Sequence, residues 1–169
     1  MPNFNGVLIT DKQMQFLGFH VSPVLLRRGS VIEPGNFGRI LGLGGANHNL
    51  HARERVLEEV RVAEFPNLPS RLNSAFYCAT AEDADWFRRN HAVTNVIYSV
   101  VPLMPDLPVH IGYMNCLPSL DGMSDEEVAR HYWRRDLVVQ GPDRHPAREV
   151  LTTSPLLVLQ NHGTLQPEQ

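Results

Sequence analysis

An α+β domain is the fold class this sequence predicts, and three observations predict it. Residues 93–103, V-T-N-V-I-Y-S-V-V-P-L, are rich in β-branched side chains and read as a central strand. Residues 51–64, H-A-R-E-R-V-L-E-E-V-R-V-A-E, are strong helix formers, with Leu50, Leu57 and Val60 on one face. The segments follow one another without the regular strand–helix alternation of a doubly wound sheet, which leaves α+β. At 169 residues the chain suits a single domain, 1–169, with one substantial core.

Taken in order, residues 1–14 read as an edge strand or arm with Val7, Leu8 and Ile9 as its apolar element. Phe16–Val21 reads as a strand that Ser22-Pro23 stops, because proline cannot donate to a sheet ladder. A short turn, a strand near Ser30–Ile32 and a Pro34-Gly35 turn follow. From Asn36 to Asn49 the chain is glycine-rich with little periodicity and reads as a loop or lid. It has neither the Lys-Ser/Thr of a P-loop nor the spacing of a dinucleotide fingerprint. His48 and His51 lack spaced ligand partners and are expected on the surface near a helix start.

In the helix over 51–64, Glu54, Arg55, Glu58 and Arg61 are expected to pair along a solvated face, and Pro66 closes the run. Thr80 with Asp83, and Ser124 with Glu127, are helix-start signatures. They open a helix through about His91 and another carrying Val128, Tyr132 and Trp133. A strand is expected at Val109–Tyr113, a loop at Gly141–Pro146, and strands at Glu149–Thr152 and Leu156–Gln160.

Composition narrows function. A formal charge of −3 excludes a strongly basic surface for nonspecific nucleic-acid binding. No apolar run approaches a membrane span, and the first residues lack a signal-peptide pattern, so the expectation is a cytoplasmic protein with no membrane partner. Cys78 and Cys116 are too few for a disulfide framework or a metal cluster and are expected buried and reduced; no metal site is expected. Lys12 is the sole lysine among 15 cationic side chains, and the arginines offer the two-pronged geometry that suits phosphates and carboxylates.

The segment Pro69–Tyr77, P-S-R-L-N-S-A-F-Y, is the most polar strand-like run, and its polar groups need partners if buried. A ligand or the protein's own backbone would serve. Before it lies the strand end F-H-V-S, Phe19–Ser22; after it lies R-E-V-L, Arg148–Leu151.

In that order, these features resemble the ADP-ribosyltransferase superfamily. Phe19–Gly35 and Ala75–Ala84 are similar to the histidine strand and the aromatic strand of its rifampin ADP-ribosyltransferase and poly-ADP-ribose polymerase-like branch. P-S-R-L-N-S-A-F with Tyr132-Trp133 and a late E-V-L also resembles an uncharacterised bacterial family grouped with that fold. The resemblance implies a split β-sheet with flanking helices that holds NAD as co-substrate. It implies Glu149 and His20 as catalytic residues, with His20, Val21, Ser22, Arg71, Ser74, Phe76 and Trp86 binding the cofactor. Phe76 would stack on the nicotinamide, with Trp86 or Phe87 closing the other side. Arg71 would bind the pyrophosphate or order Glu149 through a salt bridge, or, with Ser74, knit adjacent strands. Glu33, Glu54 and Glu58 are the rival carboxylates.

The implied activity is NAD-dependent mono-ADP-ribosyl transfer to an unidentified protein or nucleic-acid acceptor, as in a bacterial toxin or effector with a neutralising protein partner. An NAD glycohydrolase and a catalytically silent binding module are the alternatives. Arg148 and Ala147 stand where arginine-modifying members carry a second acidic residue, which argues against arginine as the acceptor.

Overall fold

A computed structural model describes residues 3–4, 7–44, 48–117, 122–138 and 145–163. The architecture is mixed α+β, with antiparallel sheets and helices on their outer sides. A short hairpin, β1 (Asn3–Phe4) and β2 (Val7–Leu8), leads into α1 (Asp11–Met14), whose start is closed by a reciprocal Thr10–Gln13 capping box.

The first main sheet has four strands in the order β3 (Gly18–Ser22), β6 (Val96–Pro102), β9 (Leu156–Asn161) and β4 (Val31–Ile32). The central place of β6 follows from its composition: six of its seven residues are buried, as suits a β-branched strand covered on both faces. The second sheet has three strands, β5 (Ala75–Tyr77), β8 (Arg148–Thr152) and β7 (Val109–Tyr113), with β8 in the middle. One antiparallel bridge joins the sheets: the Phe19 and Cys78 backbones exchange hydrogen bonds of 2.8 and 2.7 Å.

Alternation along the strands sorts side chains into layers. Ala75, Tyr77 and Val150 meet Tyr98, Val100, Leu156 and Val158 between the sheets. The opposite face of the three-stranded sheet packs under α3 (His48–Glu64) and α5 (Asp125–Arg134), where Leu151 meets Leu57, Val60, Tyr132 and Trp133. The Trp133 indole donates to the Leu57 carbonyl at 2.8 Å and locks the two helices together. On its far side the four-stranded sheet buries Val101, Leu157 and Leu159 with Ile9. The helix α4 (Ala81–His91) packs on β3 and β6.

Both predicted helix starts are present: the Thr80 hydroxyl accepts from the Asp83 N–H, and Ser124 and Glu127 form a reciprocal capping box. Cys78 and Cys116 are buried free thiols. Among the described residues no helix is long and apolar enough to cross a membrane.

Three expectations are corrected. The glycine-rich stretch after Asn36 is not all loop, because Asn36–Gly42 forms a helix, α2. Gly38 is needed there: a Cβ would stand 2.2 Å from the Leu72 carbonyl oxygen, so α2 seats directly on the backbone of the following turn. Arg71 is not on a strand but in a 3-10 turn, Arg71–Asn73, capped by Ser70. Glu54, expected on a solvated face, is 2% exposed. The expected loop at Gly141–Pro146 lies mostly outside the described residues.

Candidate functional site

The 3-10 turn before β5 exists because Ser70 satisfies its open end: the Ser70 hydroxyl accepts from the Leu72 N–H at 3.2 Å, and the Ser74 hydroxyl donates back to the Ser70 carbonyl at 2.6 Å. The turn drives Arg71 under the helices, where it is 4% exposed. Burying a guanidinium is costly unless its donors and charge are matched. Here the charge is matched, and Nε and Nη1 both have partners.

Arg71 Nε donates to Glu54 Oε2 on α3 at 2.8 Å. Its Nη1 donates to the Tyr132 hydroxyl on α5 at 2.7 Å and to Glu149 Oε1 on β8. The Tyr132 hydroxyl donates to the same Oε1 at 2.6 Å. The guanidinium carbon also lies 5.0 Å from the Phe76 ring centre and 5.1 Å from that of Tyr132, within cation–π reach. Glu54 Oε1 takes both prongs of Arg53, at 2.7 and 3.1 Å. Two carboxylates therefore face two guanidiniums, and the formal charge of the cluster cancels.

The electrostatics follow. Burial works against the charge on Arg71, but Glu149, Tyr132 and Glu54 together hold it well above its usual value. Burial pushes Glu54 up, yet Arg71 and Arg53 outweigh it and hold the carboxyl below the ordinary range. Burial pushes the Tyr132 phenol well above its usual value against the pull of Arg71, with Glu149 adding to the rise, so the hydroxyl stays a donor. Tyr132 reaches Glu149 because Gly112 makes room. Gly112 lies opposite Glu149 in the β7–β8 ladder, and a Cβ there would fall 2.3 Å from the Tyr132 ring.

Of the expected site residues, the structure joins four in a series. His20 shares a 2.7 Å hydrogen bond with the Phe76 carbonyl through Nδ1; Arg71 spans from the Phe76 ring to Glu149. Burial lowers the His20 pKa, with the Phe76 carbonyl opposing in part, which favours the neutral imidazole at neutral pH. No hydrogen bond or ion pair links His20 to Glu149 directly. Phe76 also meets Phe37 of α2 edge-on at 5.3 Å. Of the roles proposed for Arg71, the geometry is that of the salt bridge to Glu149.

The remaining residues stand apart. Trp86 and Phe87 do not close over Phe76; they pack with Cys78, Ala84, Ile97 and Val21 beside α4, with Trp86 edge-on to His91. The Ser22 hydroxyl accepts from the Val24 N–H at 3.1 Å and shapes the strand end, while Ser74 serves the turn. Glu58 binds Arg61 and Ser70, so this rival carboxylate is committed to structure.

Arg53, Glu54 and Tyr132 are the cluster members that sequence reasoning did not place in the site. A signal for Glu54 was present: it stands four residues after Leu50 and three before Leu57, on the apolar stripe. Behind the cluster, a cavity of about 770 Å³ opens between α2 and α3, with Gly38, Leu41, His51, Glu54 and Leu72 in its lining.

No curated protein matches the chain. A family model described as "Protein of unknown function (DUF2441)" matches residues 36–161, a span that includes Arg71, Phe76, Tyr132 and Glu149 but begins after His20. The match covers most of the chain, which therefore belongs to that family.

Proposed function

We propose that the protein is an NAD-dependent mono-ADP-ribosyltransferase, acting in the cytoplasm on a macromolecular acceptor, as a toxin or effector does. The observation that carries this reading is Glu149: a buried carboxylate on a central strand, bonded through one oxygen, on the same sheet layer as Phe76. Cleavage of the nicotinamide–ribose bond develops positive charge on the sugar, as glycoside cleavage does. A carboxylate aimed at the ribose stabilises that charge and accepts from a ribose hydroxyl, and surrounding aromatic side chains keep water out. His20, neutral and anchored on the Phe76 carbonyl, keeps its second ring nitrogen for the cofactor. In this reading Arg71 orders Glu149 and leaves the pyrophosphate to other groups.

The test is nicotinamide release from NAD, alone and with cell lysate, for the wild type and Glu149→Gln. Loss of one well-placed electrostatic group is expected to lower release roughly 10²–10³-fold. Undiminished release in the variant removes Glu149 from the role. Release without labelling of any lysate component identifies a glycohydrolase, and NAD binding without release identifies a silent module.

A further inference from the structure

Both donors to Glu149, the Arg71 guanidinium and the Tyr132 hydroxyl, converge on Oε1, while Oε2 accepts no hydrogen bond among the described residues. A purely structural arginine–carboxylate pair gains most from the two-pronged arrangement, in which both oxygens are used. Here the second oxygen is left over, and the side chain retains 10% exposure. Each donor is itself fixed from behind. Glu54 pins Arg71 at Nε, and Arg53 pins Glu54 through its other oxygen. Gly112 seats the Tyr132 ring against the strand opposite Glu149. Four separate elements, α3, the 3-10 turn, α5 and β8, thus set the torsions of one carboxylate.

We infer that Glu54, Arg71 and Tyr132 are positioning residues that clamp Glu149 by Oε1 and present Oε2 as its single free acceptor. The inference rests on the transferase reading for the identity of the reaction, but the clamp is a property of the side chains themselves. An immobilised acceptor needs no reorganisation when charge develops beside it, which is where such groups are worth most. Arginine is required at position 71, because lysine lacks the fork that serves Glu54 and Glu149 in two fixed directions at once.

Two measurements on the full chain test this: steady-state nicotinamide release from NAD, and ligand-free crystal structures of the wild type and Tyr132→Phe. Tyr132→Phe is expected to lower kcat roughly 10–100-fold, as loss of one hydrogen bond to a charged group does, with KM for NAD changed less than about twofold. Glu54→Gln, which never touches Glu149, should lower kcat in the same sense, and Arg71→Lys should not rescue. In a Glu149→Gln background Tyr132→Phe should add no further loss, because it acts only through Glu149. The crystal structure of Tyr132→Phe should show the carboxylate rotated from its wild-type position.

An unmoved carboxylate in Tyr132→Phe, or losses that multiply in the double variant, overturns the clamp. If Tyr132→Phe does not fold, Glu54→Gln is read by the same two measurements. A wild type that releases no nicotinamide, together with a rotated carboxylate in the variant, rejects the NAD reading and leaves the clamp standing.

Discussion

The two main sheets are built on the same antiparallel ladders yet are held by different forces. In the four-stranded sheet the buried side chains are apolar except for Ser22 and Ser99, and none of them is charged. The three-stranded sheet buries Val150 and Leu151 too, but its helix side also covers Glu149 and His110 on its own strands, with Arg71 and Glu54 against them. Apolar burial is forgiving, since removing one group leaves a cavity and nothing worse. A buried charge network fails abruptly, since removing one member strands the others without partners. The second sheet therefore depends on matched charge where the first depends on apolar burial.

The sharpest way to break this contrast is Arg71→Met, which roughly keeps the volume and removes the charge. It should cost about 3–5 kcal/mol, because Glu54 and Glu149 are left buried without their shared partner. In denaturant melts that loss should shrink on acidification, as Glu54, whose carboxyl Arg71 holds below the ordinary range, takes up a proton. Leu156→Ala, in the four-stranded sheet, should cost about 2–5 kcal/mol with no such pH dependence. An Arg71→Met loss that ignores pH would mean that packing, not charge, holds this face.

A smaller effect sharpens the same contrast. His110 on β7 is fully buried between Tyr132 and Trp133, with Nδ1 unpartnered and Nε2 3.3 Å from the Tyr132 carbonyl. Burial, with the charge of Arg135 and Arg71, lowers its pKa to about 4 against the partial support of the Tyr132 carbonyl. The folded state thus binds this proton less readily than the unfolded chain. Stability from this source is complete above about pH 6.5 and is lost as pH falls toward 4, on the order of 3 kcal/mol in all. His20 has the same sign. His110→Phe should flatten the stability curve across that window; an unchanged slope would assign the acid sensitivity elsewhere.

The smallest effect is on the surface of the apolar half. Lys12 and Asp106 form an ion pair with both side chains more than half exposed, at 54% and 78%. Lys12→Ala should change stability by less than about 1 kcal/mol in the same melts, because water and salt screen such pairs. Set beside Arg71, it separates the worth of an ion pair from that of its burial.

Much of the fold was legible in the sequence where the signals are local. Thr80 and Ser124 announced their helices, and the β-branched run announced β6, because capping and strand propensity act within a few residues. The site was legible only in part. Phe76, Arg71 and Glu149 were singled out as candidates, but the network links residues 54, 71, 132 and 149, and no local rule pairs a helix glutamate with an arginine seventeen residues later. Glu54 was read as solvated because it was grouped with its charged neighbours Arg55, Glu58 and Arg61, although its own positions four residues away are Leu50 and Glu58. The helix at Asn36–Gly42 was missed because three of the residues from 36 to 44 are glycines, and the reason for Gly38, the Leu72 carbonyl against it, is tertiary.

The two tryptophans divide between the regions just contrasted. Trp133 is sealed over the three-stranded sheet with its indole N–H on the Leu57 carbonyl, while half-buried Trp86 rides on α4, which leans on the four-stranded sheet. Their emission therefore separates into a blue component from a dry site and a redder one from a partly wet site. Following the two bands during unfolding reads each layer in the unmodified chain, and a shared midpoint means that the sheets melt as one unit.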